Sequence, residues 1–217
     1  MNNLLLGLAI FASVGTHAHV EPKIERWKTH HSMGCMMLRE CKNGVEEITK
    51  WEDLGPQFEP FAEELTKLIT AANKSDIKIF LADDKYFVMM TRGLYSVNNN
   101  NFFLNRKYID NPRMMTKVIR HEGWHAVQDC MAGTIDNTFT AVVLQDGVVP
   151  DWVKKGAEKT YPKSVAPFEA EAMYAAFDDK MTIKGLEACA GEKPMWKVYE
   201  PTPLTHKWLK EQGFITK

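Results

Sequence analysis

The sequence predicts an α+β fold, and three observations carry the prediction. Short apolar runs bounded by turn residues gather between residues 35 and 107. Segments with apolar residues at helical spacing follow from residue 112 to residue 212. No linker-like stretch rich in Pro, Gly or Ser divides the two halves. Strands first and helices second read as one α+β domain rather than as alternating β-α units. A chain of 217 residues, 45% of them hydrophobic, can bury one sizeable core.

Taken in order, "CMMLRECKNGVEEITKW" (Cys35 to Trp51) reads as strand, Asn43-Gly44 turn and strand. Gly55-Pro56 then breaks the chain. Phe58, Phe61, Ala62, Leu65, Leu68, Ile69 and Ala72 recur at helical spacing and leave one wet face. Ile77 to Ala82 is a short strand of the buried type. Tyr86 to Thr91 and Gly93 to Val97 read as strands, Asn98 to Asn101 as a polar turn tip, and Asn101 to Lys107 as another strand. Asn111-Pro112 starts a helix, with a capping side chain ahead of a first-turn proline; Gly133 stops it. Further helices are expected at Thr138 to Leu144, Asp151 to Lys159, Pro167 to Asp179, Ile183 to Cys189 and Leu204 to Gln212.

A formal net charge of -1 gives no broad basic field, so neither nucleic acid nor an anionic membrane surface is expected as a partner. The apolar run "LLLGLAIFASVG" at the N-terminus is shorter than the roughly 20 residues a bilayer-spanning helix needs. Small residues at Thr16 and Ala18 follow it, the layout of a signal peptide cut after Ala18. The expected organisation is therefore a signal peptide at 1–18 and one domain at 19–217. Such a protein is secreted or periplasmic, with no stable membrane insertion after cleavage. Its oligomeric state is not legible in the sequence.

Four cysteines, none in a C-x-x-C pair, fit two disulfides in an oxidising compartment. If Cys35 and Cys41 lie on one strand, their separation is roughly 20 Å. A disulfide needs Cα atoms within about 7 Å. Each is therefore expected to pair with Cys130 or Cys189.

The chemistry concentrates in "VIRHEGWHAVQDCMAG", inside the expected helix. His121 and His125 are four residues apart and share a helical face, so both imidazoles can address one ion. Zinc accepts imidazole nitrogen and, in catalytic sites, keeps a position for water. Glu122 lies about 100° round the helix from His121, able to take a proton from that water without replacing it.

His121-Glu122-x-x-His125 resembles the signature helix of the zincin metallopeptidases. The resemblance implies Zn2+ as cofactor, Glu122 as the catalytic base and a peptide or protein as substrate. It also implies a minimal zincin-like domain: an N-terminal mixed β-sheet packed on this helix, a helical C-terminal half, and a strand edge at Gly93-Leu94-Tyr95-Ser96 beside the substrate. The metzincin extension is absent, because Gln128 and Met131 stand where its glycine and third histidine belong.

The third metal ligand has three candidates. "PFEAEAMYAAF" (Pro167 to Phe177) resembles the downstream glutamate helix of gluzincins and of IrrE/ImmA-like peptidases. Glu169 and Glu171 are about 200° apart on such a helix, so only one can face the ion. Glu171 is the expected ligand, since Ala172 and Ala175 give its side a smooth face for close packing; Glu169 is the alternative. "GTIDNTF" (Gly133 to Phe139) resembles the aspzincin element and offers Asp136, although Phe139 stands where that family has tyrosine. Asp129 is a candidate to orient His125. Tyr161, Tyr174, Tyr199 and His206 are candidate donors to a developing oxyanion, none favoured by spacing. Two other readings stay open: a secreted binding module with a structural metal, and a metal-dependent amidase acting on cell-wall or small amide substrates.

Overall fold

The computed structural model describes residues 9–11, 31–41, 43–88, 90–133 and 139–216. Its architecture is α+β, with the strands before residue 106 and the longest helix after it. Strand β1 (Ala9–Phe11) is followed by helix α1 (residues 31–37), β2 (Val45–Ile48), α2 (Ala62–Lys74), β3 (Lys78–Ala82), β4 (Gly93–Ser96) and β5 (Asn101–Asn105). The C-terminal half comprises α3 (Pro112–Met131), α4 (Asp151–Thr160), α5 (Ala166–Ala175), α6 (Met181–Cys189) and α7 (Pro203–Glu211).

The sheet is mixed, in the order β1-β4-β5-β3-β2. β3 and β5 run parallel, with Ile79 opposite Phe102 and Leu81 opposite Leu104; every other pairing is antiparallel. Both faces of the central strands are buried, which suits apolar runs such as "KIFLA". Ile79, Leu81, Tyr95, Phe102 and Leu104 join Leu65, Leu68, Ile119, Trp124 and Leu186 in the main core under α2, α3 and α6. Phe80, Phe103 and Leu94 face the other way, onto Met33 and Met36 of α1. α6 packs closely on α3 because Gly185 has no side chain: a Cβ there would lie 2.6 Å from Val127 Cγ2.

Helix α3 forms as its sequence predicts. Asn111 caps it by accepting from the Met114 N–H at 3.1 Å, Pro112 occupies the first turn, and Gly133 follows with φ 129°. Arg120 clamps it to its neighbours. Its Nε and Nη2 donate to the two Glu64 oxygens of α2 at 2.5 and 2.7 Å, and Nη1 donates to the Ala176 carbonyl at 3.1 Å.

Four expectations fail locally. Residues 31–37 are helical, so Cys35 does not lie on a strand. Arg39 takes φ 60° and closes that helix, with the Glu40 N–H bonding the Cys35 carbonyl and the Arg39 N–H bonding the Met36 carbonyl. The reversal brings Cys41 to a Cα distance of 5.3 Å from Cys35, and the two are disulfide-bonded. The second bond joins Cys130 of α3 to Cys189 of α6, so neither disulfide ties residues 35–41 to the helical half. Tyr86 sits in a 3-10 turn at Asp84–Tyr86 rather than a strand, and residues 139–144 form no helix.

The strand expected at an edge has a neighbour on each side: β5, and Ala9–Phe11 of the expected signal segment. The rest of that segment, residues 1–8 and 12–18, lies outside the described residues, as does Asp136. No described helix is long and apolar enough to cross a membrane.

Candidate metal centre

His121 and His125 project from the same face of α3, with Nε2 atoms 3.2 Å apart. Glu169 of α5 closes the group: its Oε2 is 3.3 Å from His121 Nε2 and its Oε1 is 3.8 Å from His125 Nε2. All three side chains are buried, and their candidate ligand atoms lie within 4.8 Å of one another. This set can hold a metal ion.

The structure corrects the choice between the two glutamates. Glu171 points away from the histidines and accepts hydrogen bonds from the Val143 N–H at 3.0 Å, the Leu144 N–H at 2.6 Å and Gln128 Nε2 at 2.8 Å. A longer contact of 3.4 Å comes from Trp124 Nε1. Its carboxylate anchors the chain after α3. Glu169, on the opposite side of α5, has no hydrogen-bonding partner for either oxygen by distance and angle. Glu169 therefore takes the place expected of Glu171. A cavity of about 550 Å³ lined by Leu144, Lys154, Lys163 and Glu171 lies on Glu171's side of α5 and excludes the histidines.

Gln128, not Asp129, orients His125. Its Nε2 donates to the Phe168 carbonyl at 3.0 Å and to Glu171, so its Oε1 is the atom left facing His125 Nδ1 at 2.8 Å. An oxygen there requires Nδ1 to carry the proton, which leaves the lone pair on Nε2, toward His121 and Glu169. Asp129 instead accepts from the Tyr95 hydroxyl at 2.7 Å. The Gln128 signal was present in its position one turn after His125, the i,i+3 relation on a helix.

Burial pushes both imidazoles down to about 4; the Ala172 main chain opposes this at His121, and Glu169 opposes it at His125. Burial thus disfavours the charged form of both rings, and their Nε2 atoms face each other and the Glu169 carboxylate. Burial pushes Glu169 up to about 7, against the opposing pull of His125 and the Tyr161 hydroxyl. Among the candidate oxyanion donors, Tyr161 reaches the cluster through its hydroxyl's action on Glu169.

Glu122 is fully buried, and neither of its carboxylate oxygens meets a donor in good geometry. Burial raises it well above the usual carboxylate range; the nearby Glu169 charge adds to this, and the Tyr95 main chain opposes it. Gly93 of β4 lies directly against it: a Cβ there would stand 2.9 Å from Glu122 Oε1 and 2.6 Å from Val118 Cγ1. Sequence reasoning placed β4 near the site and missed why its first residue is glycine.

No protein-family model, curated protein or solved structure matches the chain.

Proposed function

We propose that the protein is an exported zinc-dependent peptidase of the zincin kind, in which His121, His125 and Glu169 hold the ion and Glu122 is the general base. One observation carries the reading. Two buried carboxylates, Glu122 and Glu169, whose oxygens meet no donor in full hydrogen-bond geometry, lie beside two imidazoles with Nε2 atoms 3.2 Å apart. An unpaired buried charge costs several kcal/mol, and a divalent cation would remove that cost. Two imidazole nitrogens and one carboxylate oxygen form a donor set that suits zinc with one position left over.

When bound, the ion supplies positive charge that acidifies a water and polarises a peptide carbonyl. The chain's own groups do the rest. Gln128 holds His125 in the tautomer that presents Nε2. Glu122 takes a proton from the attacking water and passes it to the nitrogen of the leaving amine. The β4 main chain at Gly93 and Tyr95 confines the Glu122 carboxylate. Tyr161, whose hydroxyl acts on Glu169, is the proposed donor to the carbonyl oxygen as it gains charge. Two disulfides and the N-terminal apolar run support export.

A second reading, a metal centre that serves structure alone, draws on burial: His121 is 5% exposed and His125 and Glu169 are 0% exposed. Glu122 favours the enzyme, since a structural centre has no use for an extra buried carboxylate. Glu122→Gln decides between them. The variant should keep its metal and its fold and lose about 10²- to 10⁴-fold in turnover of a peptide substrate. Near-wild-type hydrolysis by the metal-loaded variant would overturn the mechanism. Hydrolysis of small amides with no peptide cleaved would move the substrate class to that of an amidase.

A further inference from the structure

Strand β1 belongs to the segment expected to be cut off. Ala9, Ile10 and Phe11 pair antiparallel with Ser96, Tyr95 and Leu94, along the edge of β4 that β5 leaves free. Among the described residues β1 is the outermost strand on that side of the sheet, and residues 1–18 are the expected signal peptide. Cleavage after Ala18 would remove β1 together with the main-chain partners it supplies. β4 would then present an unpaired row of N–H and C=O groups, the kind of edge to which an extended chain adds as a further strand.

That edge adjoins the proposed base. Gly93 precedes Leu94 in β4, and a Cβ on it would stand 2.9 Å from Glu122 Oε1. The Tyr95 main chain lies close enough to the same carboxylate to oppose the effect of burial on it. The other edge of β4 is taken by β5, with Gly93 opposite Leu104 and Tyr95 opposite Phe102. An extended chain can therefore run alongside β4, next to Glu122, only in the place that β1 holds. Phe11, opposite Leu94, ends β1 one register position short of Gly93.

Resting on the peptidase reading, we infer that β1 is a latency strand: in the uncut chain it occupies the β4 edge that an extended peptide needs, and its removal with the signal segment opens that edge. Tethered to the sheet it covers, β1 meets the edge at an effective concentration on the order of millimolar, so a free peptide at micromolar concentration loses the competition. Only three residues pair, so the strand holds through its tether rather than through a large contact, and it departs with the segment that carries it. The releasing step is hydrolysis of the Ala18–His19 amide: water is consumed, Ala18 leaves as a carboxylate and His19 as a free amine. Hydrolysis of other chains is thereby held off before export and allowed after it. The device acts on access to the edge, so peptide binding changes while metal content does not.

The test uses the full chain, produced without export so that it stays uncut, then oxidised and zinc-loaded, and carrying Glu122→Gln so that bound peptide survives. Ile10→Pro and Phe11→Pro are added separately. Neighbouring N–H groups in a strand point to opposite sides, so one of the two prolines removes a bond to β4. Hydrogen exchange should find the β1-facing amides of β4 protected in the chain without proline and exchanging at least tenfold faster in that proline variant. Fluorescence anisotropy with fluorescein-labelled casein peptides should show the same variant binding at least tenfold more tightly, at equal zinc content. Equal protection of β4 in all three chains would overturn the inference, as would exposed β4 amides with no gain in peptide binding. Self-association of the exposed variant in sedimentation, without that gain, would also overturn it and assign the edge to a second copy. Cleavage of the same peptides is assayed separately in chains that keep Glu122. Tighter binding by the proline variant with no peptide cleaved would reject the peptidase reading and leave β1 as the cover of a peptide-binding edge.

Discussion

At the scale of single residues, the site turns on which of two glutamates faces inward. The sequence limits the choice to Glu169 or Glu171, because two residues on a helix differ by about 200°. It cannot say which, because α5 is alanine-rich on several sides and carries no strong apolar stripe to fix its facing. The structure resolves this through backbone donors: Val143 and Leu144, in irregular chain, need an acceptor, and Glu171 supplies it. Those donors were invisible while residues 138 to 144 read as a helix, which would have satisfied its own N–H groups. The histidine pair and Glu122 were legible because one helix carries all three. Gly93 is a second residue whose role depends on a distant neighbour. In Gly93→Ala the new methyl would press on Val118 and Glu122. The variant should lose about 1–3 kcal/mol of stability. Its turnover should fall by about 10- to 100-fold through displacement of Glu122, with metal content unchanged. Calorimetry, metal analysis and a peptide assay on one preparation check all three.

At the scale of elements, α3 was read almost to its ends because its cap, first-turn proline and terminal glycine are local signals. β3, β4 and β5 were read because their apolar runs are bounded by turns, including Asn100 at φ 54° in the asparagine tip. The 35–41 segment was misread because "CMMLREC" has no decisive period, and its helix ends on Arg39 in a conformation that usually announces itself with glycine. The two disulfides consequently differ in what they hold. Cys130–Cys189 spans 59 residues and fixes α6 against the end of α3; Cys35–Cys41 spans 6 residues and staples one helix end. On the chain-entropy model the long loop contributes about 4 kcal/mol and the short one about 2 kcal/mol. Cys130→Ser with Cys189→Ser should therefore lower urea stability more than Cys35→Ser with Cys41→Ser. Equal losses would contradict loop-closure entropy as the source of the stabilisation.

At the scale of the whole molecule, a mixed sheet and the helices packed on it enclose ionisable groups that the core would otherwise exclude. Without a cation this arrangement carries a pH-dependent cost. Burial raises the folded pKa of Glu169 to about 7, above the ordinary 4.5 of a glutamate, so the folded state binds the extra proton between those values. In metal-free protein its contribution to stability is full below about 4.5 and is lost as pH rises through about 7. The buried imidazoles run the other way, between about 4 and 6.5, so the Glu169 effect is isolated by difference. Metal-free Glu169→Gln should gain stability relative to metal-free wild type as pH rises from 5 to 8, measured by urea titration at each pH. A difference that stays flat over that range would contradict the account of the buried carboxylate. The account's central claim is that His121, His125 and Glu169 together bind one metal ion, and metal analysis of purified protein tests it most directly. Wild type should carry one equivalent, Glu169→Ala almost none, and Glu171→Ala a reduced but measurable amount through the loosened Gln128–His125 contact. Full metal retention by Glu169→Ala, or complete loss confined to Glu171→Ala, would contradict it.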